Sequence, residues 1–320
     1  MVIKKTKKIK TGINGFGRIG RAFLKQAWER SDIEIVAIND LGSLESLAYL
    51  LRHDTVYRNW DHSVVIDGDN LVIDGRKIPV FAVKNPAEIP WGSVSADVVV
   101  ESTGLFTTYD TASAHITGGA KHVVISAPAK QGIDAGVQGE TILLGVNEEL
   151  FGTCNVTSNA SCTTNASSPL IGILDQALGI EKALLSTTHG YTASQSLVDG
   201  PSKKDLREGR AAAQNIVPSS TGAAIAVTVA YPKLTGLFDG ISLRVPVPAG
   251  SIVDITFITK RDTTADEVNE ILTNASRDPR WAGIFTVTNE PLVSSDILGS
   301  TYASIADLAM TRVVGGNLVK

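Results

Sequence analysis

Cys162 and His189 are the residue types from which a nucleophile and its base are made, and each stands in a setting that suits that work. Cys162 lies within Ser158-Asn159-Ala160-Ser161-Cys162-Thr163-Thr164-Asn165. Before it, Gly152 to Thr157 alternates as a strand does. After it, Ala166, Leu170, Ile171, Leu174 and Leu178 recur at helical spacing. Ser161 reads as the N-cap, which puts Cys162 in the first helical turn, where unpaired N–H groups and the macrodipole stabilise an anion. A thiol so placed has a lowered pKa and is partly thiolate near neutral pH. The competing reading is inert packing, because cysteine is among the most buried residue types. The Ser, Thr and Asn neighbours weigh against that reading, since a structural cysteine sits among aliphatic side chains. His189 follows the apolar run Ala183-Leu184-Leu185 within Thr187-Thr188-His189-Gly190-Tyr191-Thr192, and reads as the base or as a satisfied core histidine.

A second constellation lies near the start. Lys8 to Asn14 reads as a strand, Gly15-Phe16-Gly17-Arg18-Ile19-Gly20 follows at once, and Arg21 to Arg30 is helical. A strand from Ile33 to Ile38 then leads to Asp40. Glycines at this spacing, between strand and helix, let backbone approach a pyrophosphate at a helix N-terminus. An acid twenty residues on can hydrogen-bond a ribose, and its charge disfavours a 2′-phosphate, pointing to NAD over NADP. The alternative for Asp40 is a solvated acid at a strand end.

The intervening elements must hold these residues. Leu44 to Leu51 is helical, Val64 to Ile73 reads as a hairpin turning at Asp67–Asn70, and Ile78 to Val83 is extended. Asp97 to Val100 is a buried-type strand ending in Glu101-Ser102-Thr103-Gly104. A helix near Asp110 to Thr117 leads to a strand from His122 to Ser126. Such strand ends either face a ligand at the carboxyl edge of a parallel sheet or are polar turns. Gln131 to Glu140 is glycine-rich and loop-like, Thr141 to Val146 reads as a strand, and the domain boundary falls near residue 160.

In the second half, Asp199 to Arg210, including Lys203 and Lys204, is a charged excursion of loop character. Pro218-Ser219-Ser220-Thr221-Gly222 opens an apolar helix running to about Tyr231, either as an anion site or as ordinary capping. Arg244 lies inside the apolar strand Ile241 to Pro248, where a guanidinium must find an anion or a surface because unpaired burial is costly. A strand from Ile252 to Thr259, a helix from Thr264 to Ala275 and a strand region over Asp307 to Val314 complete a helix-covered, antiparallel-looking domain.

Composition narrows the class. With 320 residues, 43% hydrophobic and 19% charged, the chain has core enough for one large or two ordinary domains. A net charge of −4 argues against a nucleic-acid or other polyanion partner. The basic start Lys4-Lys5-Thr6-Lys7-Lys8 is followed by no signal-length apolar run, and no run approaches membrane-spanning length. Cys154, placed in the strand before the nucleophile, and Cys162 form no disulfide framework and no zinc pattern, so no metal and a reducing cytosol are expected.

Ser158–Asn165 together with Thr187–Thr192 resembles the phosphorylating glyceraldehyde-3-phosphate dehydrogenase family, and the similarity extends over essentially the whole chain. The resemblance implies an α/β chain: a doubly wound Rossmann-type NAD domain over residues 1–160 and an α+β catalytic domain with a mixed, largely antiparallel sheet over 161–320. It implies oxidation of D-glyceraldehyde 3-phosphate to 1,3-bisphosphoglycerate with reduction of NAD⁺, the step shared by glycolysis and gluconeogenesis, in a cytoplasmic homotetramer. Cys162 and His189 are then catalytic. Asn14, Gly15, Phe16, Gly17, Arg18, Ile19, Gly20, Asp40, Ser102, Thr103, Gly104 and Ser126 contact the cofactor. Thr192, Arg207 and Arg244 hold the substrate phosphate, and Ser161, Thr163, Thr221 and Gly222 hold the attacking inorganic phosphate. The family continues past a strand like Leu318-Val319-Lys320 into a segment carrying an asparagine for the nicotinamide and a helix covering the NAD domain. This sequence stops at Lys320, so an uncovered apolar face is expected on the first domain. Three other readings stand beside this one: a sibling acting on erythrose 4-phosphate, a Cys–His hydrolase or acyltransferase, against which the dinucleotide fingerprint argues, and a non-catalytic NAD-binding scaffold.

Overall fold

Strand β1 (Ile9–Asn14) is buried over its last four residues, so it forms the middle of a sheet rather than an edge. The computed structural model describes residues 7–133, 136–202 and 205–320, so Lys4–Thr6 of the basic start, Asp134 and Ala135 of the glycine-rich stretch, and Lys203 and Lys204 lie outside the described residues. After β1 come α1 (Arg18–Trp28), β2 (Ile33–Asn39), α2 (Leu44–Arg52), β3 (Val64–Asp67), β4 (Asn70–Ile73), β5 (Arg76–Phe81) and β6 (Val98–Glu101). Then follow α3 (Tyr109–Thr117), β7 (His122–Ile125), β8 (Gly139–Thr141) and β9 (Val156–Ser158). These strands form one sheet in the order β3-β4-β5-β2-β1-β6-β7-β9-β8. It is parallel from β5 through β8, with β3 and β4 added antiparallel at one edge. From β1 the chain winds outward through β2, then returns to β6 on β1's other side. The switch point of the sheet therefore lies between β1 and β6, where open α/β sheets bind ligands. Helix α1 buries Gly20, Leu24 and Ala27, and Leu24 joins a core with Ile13, Ile35, Ile38, Leu47 and Leu51. Each such aliphatic side chain contributes roughly 1.5–3 kcal/mol by leaving water.

The second compact unit holds α4 (Cys162–Leu178), β10 (Ile180–Gly190), β11 (Val217–Ser220), α5 (Ala223–Ala230), β12 (Phe238–Val245), β13 (Ser251–Thr259) and α6 (Ala265–Ala275). It ends with β14 (Phe285–Thr288), β15 (Ser304–Asp307), β16 (Val313–Val314) and β17 (Leu318–Val319). Its main sheet runs β11-β12-β10-β13-β17-β16, antiparallel throughout except for the parallel pair β10/β12. Along β10 burial alternates: Ala183, Leu185 and Thr187 face the helices, and Leu184 faces outward. The helices close a core of Leu174, Leu178, Leu185, Phe238, Phe257 and Leu272.

Several local expectations shift. Of Thr141 to Val146, read as a strand of the first domain, only Thr141 is strand, as the end of Gly139–Thr141, and Ile142–Glu149 group instead with the second unit. Cys154 precedes its strand rather than lying in it, because the ladder with β7 begins at Val156. Pro218 to Ser220 pair with β12 as strand, so α5 begins only at Ala223. The 307–314 region splits into the end of β15, a 3-10 turn over Leu308–Met310 and β16.

Candidate active site

Ser161 caps α4: its hydroxyl accepts the backbone N–H of Thr164 at 3.1 Å. Just before it, Ala160 is held in the left-handed region at φ 57°, a conformation costing an L-residue about 1–2 kcal/mol that turns the strand end sharply into the helix. Cys162, the first residue of α4, is exposed, and its Sγ lies 3.2 Å from His189 Nε2. Desolvation by surrounding protein pushes the thiol up. The hydrogen bond and field of the His189 ring, with the Thr163 hydroxyl and N–H, outweigh it and leave the Cys162 thiol below its ordinary value. That is the condition for a nucleophilic thiolate at neutral pH.

His189 is the penultimate residue of β10, and the parallel register of β10 and β12 sets it directly beside Arg244. Arg244 Nη1 reaches His189 Nδ1 at 2.5 Å. Burial lowers the guanidinium, while Cys162 and Glu208 act to raise it. The arginine that the sequence singles out for its apolar strand thus finds the thiol–imidazole pair.

The other predicted anion contacts form two groups within the second unit. Arg207 lies in a 3-10 turn over Leu206–Gly209, whose Glu208 carbonyl accepts the N–H of Ser196, tying the turn to the segment that begins at Thr192. The Thr192 hydroxyl is 3.1 Å from that of Ser194. Arg207 itself is exposed and meets Asp205 at 4.0 Å. In the second group, the Thr221 hydroxyl accepts the N–H of Ala223, and Gly222 caps α5 without a side chain. Thr164 Oγ1 reaches the Ala223 carbonyl at 3.5 Å, which brings the first turns of α4 and α5 together. Ser161, Thr163, Thr221 and Gly222 accordingly lie around two adjoining helix N-termini, a setting that favours an anion.

In the first unit the glycine loop has the shape a pyrophosphate requires. Gly15 has φ 89°, and a Cβ there would come within 2.6 Å of the Thr103 nitrogen; at Gly20 it would strike the Gly15 carbonyl at 2.1 Å. Gly17 caps α1 with no side-chain acceptor, and a Cβ added to it meets open space, so the backbone is bare on the side a ligand would approach. Asn14 ends β1, Phe16 lies in the loop, and Arg18 and Ile19 open α1. Asp40 accepts the Phe16 N–H at 2.6 Å and the Gly42 N–H at 2.8 Å, so its carboxylate also shapes the loop. Ser102 donates to the carbonyls of Gly15 and Asn14, and Ser126 to that of Glu101. Gly104 has φ 72°.

Sequence reasoning gave no role to Glu101, His115, Trp91 or Asn39, which hold the base of this loop. Glu101 Oε1 accepts the Thr103 N–H and hydroxyl at 2.8 and 2.5 Å. Its Oε2 is 2.5 Å from Asn14 Nδ2 and 3.0 Å from His115 Nε2. Trp91 donates to His115 Nδ1 at 3.0 Å, which leaves the ring proton on Nε2, facing Glu101. Asn14 Oδ1 in turn accepts from Asn39, at the end of β2. The available signal was an acid ending the buried run Val98-Val99-Val100, the argument already applied to Arg244.

A chain that carries a dinucleotide-type sheet and a capped thiol lowered by a histidine has the make-up of a nicotinamide-dependent oxidoreductase. Residues 9–109 match the model of the glyceraldehyde 3-phosphate dehydrogenase NAD binding domain, and residues 161–320 that of its C-terminal domain. The chain is 47% identical over 315 residues to glyceraldehyde-3-phosphate dehydrogenase 2 of Streptomyces avermitilis, covering 98% of this chain and 92% of that protein. It is 45% identical over 314 residues to the glyceraldehyde-3-phosphate dehydrogenase of Neurospora crassa, with 98% and 90% covered. Against that of Geobacillus stearothermophilus the identity is 43% over 314 residues, with 98% and 91% covered. The chain belongs to the phosphorylating glyceraldehyde-3-phosphate dehydrogenase family. Among the described residues no helix is long and apolar enough to cross a membrane, and no cluster of ligating side chains could hold a metal.

Proposed function

We propose that this protein oxidises and phosphorylates D-glyceraldehyde 3-phosphate to 1,3-bisphosphoglycerate, with NAD⁺ as the electron acceptor. The observation that carries this reading is the 3.2 Å contact between Cys162 Sγ and His189 Nε2 at the start of α4. The Cys162 thiolate adds to the aldehyde carbon, and the new alkoxide develops beside the Cys162 N–H in the first turn of α4 and the His189 ring. The His189 ring lends a proton to that alkoxide, giving the thiohemiacetal, and takes it back as general base when the hydride leaves. Bound NAD⁺ supplies the acceptor for the departing hydride, so that a thioester remains on Cys162. Inorganic phosphate then attacks the thioester carbonyl, forming the acyl phosphate and releasing the thiolate.

The substrate phosphate is assigned to Thr192, Arg207 and Arg244, and the attacking phosphate to Ser161, Thr163, Thr221 and Gly222. NAD is assigned to Asn14 through Gly20, Asp40, Ser102, Thr103, Gly104 and Ser126. The first unit serves as the cofactor domain and the second as the catalytic domain. The open face of the second unit's sheet carries the exposed Leu184, Ile241 and Ile252, which supports assembly of copies into a homotetramer. Two unpaired cysteines fit a reducing cytoplasm.

The test follows NADH absorbance with glyceraldehyde 3-phosphate at saturating NAD⁺, with and without phosphate. Cys162→Ser is the control, and erythrose 4-phosphate the competing substrate. NADH formation that needs phosphate and Cys162 supports the reading; faster turnover of erythrose 4-phosphate assigns the substrate to the sibling activity. A folded, NAD-binding protein that makes no NADH from either aldehyde overturns the reading.

A further inference from the structure

Beside the C-terminal half of α4 the second unit has a cavity of about 440 Å³, a size common among small-molecule sites, which the reaction above does not use. It lies roughly 20 Å along the helix from Cys162. Val146, Asp175, Gln176, Tyr231, Lys233 and Arg280 line it. Asp175 brings a negative charge, but its side chain is wholly shut from water. Its oxygens are taken up by the Tyr231 hydroxyl, Lys233 Nζ and the Ile180 N–H. A solute entering the cavity therefore meets the Tyr231 ring and the Lys233 ammonium before the carboxylate.

Arg280 is held in place and left unspent. Its Nε donates to the Gly145 carbonyl at 2.7 Å, and its guanidinium lies over the Trp281 ring, 4.9 Å from the centroid. Those two contacts fix the guanidinium plane, and among the described residues neither Nη atom has a hydrogen-bond partner. What remains open is the two-pronged edge that takes a phosphate or carboxylate bidentately. The charge bears on the cavity, because its field reaches the Tyr231 hydroxyl and works against the upward push of burial and Asp175 there. Lys233 and Asp175 cancel each other, and the ammonium keeps N–H donors to spare. The C-terminal end of α4 adds about half a negative charge, less than the full positive one left on Arg280.

We propose that this cavity is a ligand site separate from the thiol, taking a small organic anion whose phosphate or carboxylate group sits between Arg280 and Lys233. The apolar body of that anion lies on Tyr231 and Val146. Gln176, whose side-chain amide likewise has no partner among the described residues, is placed to bond a polar group on the body. Preorganisation favours binding here, since Trp281, Gly145 and Asp175 already hold both cations and little side-chain freedom is left to lose. The site depends on none of the residues assigned to the reaction.

Calorimetric titration of the whole protein with phenyl phosphate and with benzoate, which share a ring and differ in the anionic group, tests the site. The titrations are repeated in Arg280→Met, whose apolar stem can still cover Trp281, and in Arg280→Lys, which keeps the charge without the fork. At least one of the two anions is expected to bind the unmodified protein, and the tighter of them identifies the head group. Its affinity should fall about tenfold in Arg280→Met and recover in part in Arg280→Lys. The rate of Cys162 alkylation should be the same in all three proteins, which separates loss of this site from damage to the thiol. Equal affinity in the unmodified protein and Arg280→Met overturns the proposal, as does failure of both anions to bind.

Discussion

Glu101 Oε2 and His115 Nε2 stand 3.0 Å apart with both side chains almost wholly shut from water. Four donors converge on this carboxylate, from Asn14, His115 and, twice, Thr103. They connect the end of β1, the turn after β6 and helix α3. A buried carboxylate satisfied in this way fixes the two strand ends between which the sheet switches direction.

Glu101→Gln keeps the shape but turns one acceptor arm into a donor facing donors. NAD⁺ binding is expected to weaken by about tenfold, ~1.4 kcal/mol, with the KM for the aldehyde unchanged. Fluorescence titration with NAD⁺, beside a melting curve, checks this. A lowered Tm with unaltered NAD⁺ affinity would show that the cluster only stabilises the fold.

Cys162 should be alkylated by iodoacetamide with a pH midpoint below that of a free thiol, because the His189 ring outweighs the desolvation of the sulfur. In His189→Asn the midpoint should rise toward the free-thiol value near 8.5. A midpoint that stays put would remove His189 from the activation of the thiol.

Asp175 is buried at the end of α4, where it accepts from the Tyr231 hydroxyl at 2.6 Å, Lys233 Nζ at 2.5 Å and the Ile180 N–H at 2.7 Å. Desolvation pushes the carboxyl up, but these donors win and hold it below its usual value. With the folded value lowered, its share of stability is present above the unfolded value near pH 4 and is lost as pH falls through the folded one. Asp175→Asn should cost about 1–3 kcal/mol at neutral pH and flatten the acid side of a stability–pH profile measured by urea unfolding.

The same carboxylate acts on Tyr231, whose hydroxyl is pushed up to about 12 by burial and by Asp175. A raised folded value means stability that is full below the unfolded value near pH 10 and drains away as pH climbs toward 12. Tyr231→Phe should lack that alkaline loss in unfolding curves recorded above pH 10.

Leu184 and Ile241 share the outward face of β10 and β12, through the pairing of Ser186 with Ile241. Arginine at both positions should leave Cys162 alkylation intact and convert the assembly to smaller species in light scattering. An unchanged mass would move the interface elsewhere.

Much of the site was legible because its signals are local. Ser161, Cys162 and the helical run after them are contiguous, so capping and the placement of the thiol follow from a few adjacent residues. The glycine loop and Asp40 are likewise read within one βαβ unit, whose order the folded chain keeps. The 218–222 segment misled because its Ser, Thr and Gly suit both a strand end and a helix start. Pairing with β12, remote in sequence, decided for strand up to Ser220.

The sequence by itself therefore determined which groups can do chemistry here: a capped thiol, a histidine, a glycine loop and an arginine that apolar surroundings oblige to find an anion or a surface. Tertiary structure alone decided how those groups meet. The register of β10 on β12 set Arg244 at His189, and the crossing between β1 and β6 gathered Asn14, Thr103 and His115 around the Glu101 carboxylate. Strand pairing joins residues far apart in the chain, and a shift of one position would turn each side chain to the opposite face. No local pattern carries that choice, because it depends on the combined burial of both strands.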